Sequence, residues 1–116
     1  MVPQVKDISS LLACAREEQL MEKLVLQLRK DFQSANVFVE IETTVSPGQL
    51  RRTLHETVFL LMRDRFNDYL NLLYIIDVSE EQVKRIQSID TVEISEEVAF
   101  LILKREWQKV WLKNRI

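Results

Sequence analysis

Along most of the chain apolar residues recur at steps of three and four, and that spacing predicts helices. The clearest stretch is Ser46 to Val78, SPGQLRRTLHETVFLLMRDRFNDYLNLLYIIDV. Leu50, Leu54, Val58, Leu61, Tyr69, Leu73 and Ile76 keep the spacing, with Met62 and Phe66 alongside and one longer step spanned by Arg65. Ser46, Pro47 and Gln49 make a helix start. The serine oxygen can accept from first-turn amides, the proline ring already has helical φ, and Gln49 can reach back to Ser46. The pattern predicts one helix from Pro47 to Ile76, roughly 28–30 residues and ~42–45 Å long. A rod of that length is the expected spine of the molecule.

Before it, Ile8, Leu12 and Ala15 and then Met21, Leu24, Val25, Leu28 and Phe32 form one stripe. It predicts a first helix from Asp7 or Ser9 to about Ser34. The polar turn Arg16-Glu17-Glu18-Gln19 interrupts the buried face, but it holds no Gly or Pro, so continuity is expected. Asn36 to Thr44 changes period: Val37, Val39 and Ile41 face one way and Glu40 and Glu42 the other, as in a strand. Thr91-Val92-Glu93-Ile94 is the only possible partner. The two either pair as a short ribbon or serve as extended connectors.

Ser79 and Gln82 repeat the capping-box spacing, with Glu80 and Glu81 in the first turn, and predict a short helix from about Glu80 to Ser88. Ser95-Glu96-Glu97 predicts the start of a last helix running to about Asn114. Val98 to Leu103 is apolar all round and should be inserted among other elements. Beyond it Phe100, Leu103, Trp107, Val110 and Trp111 share an arc opposite the basic residues. The whole chain, 1–116, reads as one mainly α domain: a four-helix, bundle-like unit on one long central helix.

Composition narrows the picture. A single glycine, Gly48, leaves little provision for sharp turns or positive φ. A net charge of −2 drives the chain onto neither nucleic acid nor an anionic membrane. One cysteine, Cys14, excludes an intrachain disulfide and argues against a thiolate zinc site. The opening MVPQVKDISS lacks an export pattern, and the longest apolar run, Val98–Leu103, is far short of the ~18 residues of a membrane span. A cytoplasmic protein without a span is expected.

Candidate chemistry is sparse. His55, the single histidine, lies on the arc of Met62 and Phe66 with no local nucleophile or carboxylate, so it reads as a helix-face residue rather than a catalyst. A pairing with Cys14 has no local signature. Asp64 and Asp68 are one turn apart, but Arg63 and Arg65 account for them by ion pairing, and no Glu-x-x-His spacing accompanies them. No catalytic residue, cofactor site or metal site is assigned.

Two surfaces stand out instead. Large apolar residues cover more than half the circumference of the central helix, which points to a homodimer through its second half. Arg65, Phe66, Asp68, Tyr69 and Leu73 are the expected interface. Residues 98–116 carry five basic groups and one acid, whereas residues 77–97 carry seven acids and two bases. Lys104, Arg105, Lys109 and Lys113 are therefore a candidate docking face for an anionic partner or nucleic acid. Cations at a helix end and acids at helix starts explain that asymmetry without a ligand, so nucleic acid is the less favoured reading.

Leu72-Leu73-Tyr74-Ile75-Ile76-Asp77-Val78-Ser79-Glu80 resembles a stretch of small helical bacterial proteins of unassigned function, Leu-Leu-Tyr-x-Ile-Asp-Val-Ser-Glu. A basic residue is expected there at the position of Ile75, and this chain departs from that. The resemblance implies a stand-alone cytoplasmic protein and transfers no site residue. The expected function is a non-enzymatic protein–protein interaction module, a homodimeric scaffold or adaptor whose further partner is unidentified. The alternative is an anionic-surface or nucleic-acid binder acting through the basic last helix.

Overall fold

The computed structural model describes residues 2–115 as an all-helical fold measuring 36 × 27 × 26 Å. Its helices are α1 (Ile8–Glu17), α2 (Met21–Ser34), α3 (Pro47–Asp64), α4 (Phe66–Ile76), α5 (Glu80–Lys84) and α6 (Thr91–Lys113). The chain is thus mainly α, as its periodicity predicts, but with six helices rather than four, and with no strand among the described residues.

The expected spine is not the observed one. The helix predicted from Pro47 to Ile76 breaks at Arg65 (φ −140°, ψ 62°), where α3 ends and α4 begins. A straight helix over that span would be ~45 Å long and would outrun the 36 Å molecule. Broken there, α4 packs on α2, α3 and α6. Arg65 ties the corner: its Nε donates to Asp68 Oδ2 at 2.7 Å, and its guanidinium also reaches the Asn36 carbonyl at 3.4 Å. The central element is instead α6, which touches each of the other five helices. Its buried face is Ser95, Val98, Ala99, Ile102, Leu103, Glu106, Trp107, Val110 and Trp111, an unbroken run of three- and four-residue steps.

The first helix is also divided, for a reason composition concealed. Gln19 takes a left-handed conformation (φ 57°). Its amide donates to the Arg16 carbonyl at 3.1 Å, and the Leu20 amide reaches back to the Ala15 carbonyl at 2.9 Å. This is a Schellman ending, and it recurs. Asn36 (φ 58°) closes α2, with Val37 bonding back to Phe32, and Asp77 (φ 69°) closes α4, with Val78 bonding back to Leu73. All three left-handed residues are non-glycine, whereas Gly48 lies in the first turn of α3 without positive φ. The expectation that one glycine permits few such positions is wrong here. Each costly residue is followed by an apolar one that packs against the core, Leu20, Val37 or Val78, and that burial offsets the strain.

The ribbon does not form. Thr91 to Ile94 is the first turn of α6, which begins earlier than Ser95 because Asp90 caps it. Asp90 Oδ1 accepts from the Val92 and Glu93 amides at 2.8 and 3.4 Å. Glu93 reaches back to the Ser88 hydroxyl at 2.7 Å, which in turn accepts from the Asp90 amide. Without a partner, residues 37–42 are an extended connector. Their alternation survives: Val37 and Ile41 are buried, Val39 is half-buried, and Phe38, Glu40 and Glu42 are exposed. Both serine caps are present, Ser46 accepting from Gln49 and Ser79 from Gln82, although α5 stops at Lys84.

A continuous helix and a Schellman ending at Gln19 answer a glycine substitution with opposite signs. Gln19→Gly should stabilise the protein by roughly 0.5–1 kcal/mol, because glycine adopts the left-handed conformation without the Cβ penalty. Urea unfolding measures it. A loss of about 1 kcal/mol, as glycine causes inside a helix, contradicts the ending described.

Candidate functional site

The outer face of α4 differs from every other helical surface in the described residues. Its exposed positions are Phe66, Asn67, Leu70, Asn71 and Tyr74, and none is charged. The exposed faces of α1, α2, α3, α5 and α6 all include charged side chains. Phe66, Leu70 and Tyr74 follow one another at single turns, 53%, 48% and 82% exposed, and form an apolar ridge. The ridge exists because the opposite side of α4 already fills the core with Tyr69, Leu72 and Ile76.

Of the five interface residues expected from sequence, only Phe66 belongs to the ridge. Tyr69 is buried, its ring centroid 5.4 Å from that of Phe66, and burial raises its phenol pKa. Leu73 is half-buried against the core, and Leu72 takes the fully buried position. Arg65 and Asp68 pair with each other across the helix junction. Leu70 and Tyr74, at four-residue steps from Phe66, belong to the surplus of large apolar residues that the sequence shows on this helix but lie outside the expected interface set.

The basic residues of α6 do not form one free face. Arg105 donates to the Asp77 carbonyl and carboxylate at 3.2 and 3.3 Å and fastens the end of α4. Lys109 lies 2.9 Å from Asp31 Oδ2 and 3.1 Å from Glu106 Oε1, and Lys113 donates to Gln27 Oε1 at 2.9 Å. Lys104 sits half-buried, 6.0 Å from the Phe100 ring centroid. Three of the four are thus engaged in joining α6 to the rest of the fold.

Lys109 marks a group that sequence reading passed over. Glu106 is fully buried at the stripe position four residues after Ile102, and Asp31 from α2 meets it. If both were ionised, Lys109, 3.1 Å from Glu106 Oε1 and 2.9 Å from Asp31 Oδ2, would alone face two buried negative charges. Burial, together with the hydrogen bond to Asp31, pushes the Glu106 carboxyl up to about 8. It therefore keeps its proton at neutrality beside the Asp31 carboxylate. Asp31 is held below the usual carboxylate range: burial would raise it, but the bonds from Glu106, Lys109 and Gln27 outweigh that.

His55 has a hydroxyl partner that local sequence could not reveal. Its Nε2 lies 2.9 Å from Ser95 Oγ and 3.1 Å from the Val92 carbonyl. Ser95 spends its own proton on Val92, at 2.8 Å, so the imidazole N–H donates to the serine. The direction is opposite to nucleophile activation, and Ser95 is fully buried. The pair ties α3 to α6. Asp64 is bound by Arg63, which lowers its pKa, and Asp68 by Arg65. Among the described residues no group of three or more His, Cys, Asp or Glu is placed to hold a metal ion, and no helix is long and apolar enough to cross a membrane.

The fold and its surfaces define an all-helical protein with one uncharged helix face and a protonated carboxyl in its core. No family model, curated protein or solved structure matches the chain.

The buried acid makes stability fall as pH rises. The folded protein holds the Glu106 proton up to about 8 and the unfolded chain loses it near the ordinary 4.5. Between those values unfolding free energy should drop, by at most about 1.4 kcal/mol per pH unit. Asp31 acts oppositely, contributing stability that is lost as pH falls through its lowered value. Urea unfolding across that range should show the alkaline decline in the native protein and a flattened one in Glu106→Gln. Equal slopes in the two proteins contradict the protonated pair.

Proposed function

We propose that the protein is a non-enzymatic protein–protein interaction module that self-associates through the outer face of α4. The observation that carries this reading is the uncharged ridge of Phe66, Leu70 and Tyr74 on a chain in which 29% of residues are charged. Solvent-facing helix surfaces are ordinarily where charge is placed, and an apolar patch kept free of it marks a contact surface.

A second copy suits this face better than a charged partner. About a twofold axis near Leu70, antiparallel α4 helices bring Leu70 onto its counterpart and Phe66 opposite Tyr74, an isologous contact in which the same residues serve both sides. Asn67 and Asn71 flank the ridge and bring no like charges together. The helix is only about 16 Å long, so the contact is smaller than the ~800 Å² per partner of a standard interface. A reversible dimer with micromolar affinity is the matching expectation. The ion pairs that Arg105 and Lys109 already make inside the fold weigh against the nucleic-acid reading.

Light scattering coupled to gel filtration at tens to hundreds of micromolar should give a mass rising from 13.8 kDa toward twice that value. Leu70→Glu, at an exposed position, should return it to a monomer with little change in unfolding midpoint. A mass fixed at the monomer throughout rules the assembly out, and a dimer unaffected by Leu70→Glu moves it to another surface.

A further inference from the structure

Beyond the α4 face, a groove of about 330 Å³ lies between α2 and the final turns of α6, and among the described residues its lining contains no carboxylate. Lys23 and Lys30 come from α2, and Lys113 comes from α6. All three are exposed. Gln27, buried, sits one turn from each of the α2 lysines and accepts from Lys113 at 2.9 Å, so all three lysines line the groove beside one amide. The side chain of Lys23 is held by Asn114 Oδ1.

The partners of these lysines decide what the groove can take. Gln27 and Asn114 orient two of the cations without neutralising them, and the Lys30 side chain makes no hydrogen bond among the described residues. The nearest buried acid, Asp31, is already held by Lys109, and Glu18 is held by Arg115. The molecule as a whole is acidic, at −2, yet the three cations around this concavity have no acidic partner among the described residues. Leu26, 46% exposed, offers an apolar surface at the same groove, which the buried Val110 also lines.

We infer that this groove binds a small phosphorylated organic molecule. Its phosphate charge would lie among Lys23, Lys30 and Lys113, and its organic part against Leu26. Compact groups of charge near −2 are the ligands that several lysine point charges hold best. Lys23 and Lys30 are seven residues apart, about 10 Å along the helix, so the span suits more than one phosphate group.

The full-length chain can be titrated with inorganic tripolyphosphate and followed by amide and lysine-ammonium NMR shifts. Perturbations should centre on Lys23, Lys30, Lys113 and Asn114 and weaken as salt rises. Lys30→Gln, which removes no hydrogen bond, should weaken binding several-fold, and the pair Lys23→Gln and Lys30→Gln about tenfold or more. Lys84→Gln, on α5, should leave it unchanged. Unfolding midpoints near that of the native chain show that the variants remain folded. Shifts spread over every surface lysine, or double-variant binding equal to native, overturns the inference. Sedimentation with phosphatidylglycerol vesicles that the double variant abolishes would also overturn it, by assigning the groove to a lipid surface. Because neither lysine lies on α4, the oligomeric state is an independent readout, and loss of either result leaves the other standing.

Discussion

The fold depends on covering one face of α6. That helix touches all five others, and Val98, Ala99, Ile102, Leu103 and Trp107 on it have no exposed surface. Full burial of a large apolar side chain contributes on the order of 1.5–3 kcal/mol. The larger of these together are comparable with the ~5–15 kcal/mol that separates a folded domain from its unfolded chain. The other helices are therefore arranged by what α6 needs covered. The His55–Ser95, Lys109–Asp31 and Arg105–Asp77 contacts fix which part of α6 each of α3, α2 and the end of α4 meets.

Within that face Glu106 is the expensive position. A carboxylate there would need more donors than Lys109 supplies, so the group is neutral and Asp31 carries the charge. A buried acid kept neutral against a partner is tolerated only with good local geometry, and its advantage over an apolar residue lies in specificity rather than stability. Here it sets the register of α2 against α6. The same seam leaves Lys23, Lys30 and Lys113 outside the ion pair and facing solvent. At the other end, the corner at Arg65 lays α4 on the core by Tyr69, Leu72 and Ile76 and turns its uncharged side outward. Both surfaces read here as functional follow from how the helices are made to fit α6.

Much of this was visible in the residues, and the failures share a cause. The caps at Ser46 and Ser79 and the stripes of the first two helices follow local rules and appear where expected, whereas Val98–Leu103, expected to be buried on all sides, buries Val98, Ala99, Ile102 and Leu103 and leaves Phe100 and Leu101 half-exposed. The breaks at Gln19 and Arg65 do not follow local rules, because neither residue is a helix breaker. Leu20 and Val37 recover the cost of left-handed neighbours only through burial that exists in the folded molecule. Thr91-Val92-Glu93-Ile94 was misread because its β-branched residues suggested a strand, although Asp90 and Glu93 already had capping-box spacing. Glu106 likewise stands in register with Ile102 and Leu103, but the sequence counts it only as the single acid among basic neighbours. The Asp31 contact and the Lys23–Lys30–Lys113 cluster join α2 to α6 across 75 or more positions, and no local pattern reports such a meeting.

The claim that α6 is the element on which the fold rests is tested most directly by native-state hydrogen exchange. Amides from Val98 to Trp107 should be the slowest in the chain and should exchange only through global unfolding, with the same free energy and the same denaturant dependence as the whole molecule. Amides of α3 or α4 that outlast them, or an α6 that opens by local fluctuation while the remaining helices stay protected, would contradict it.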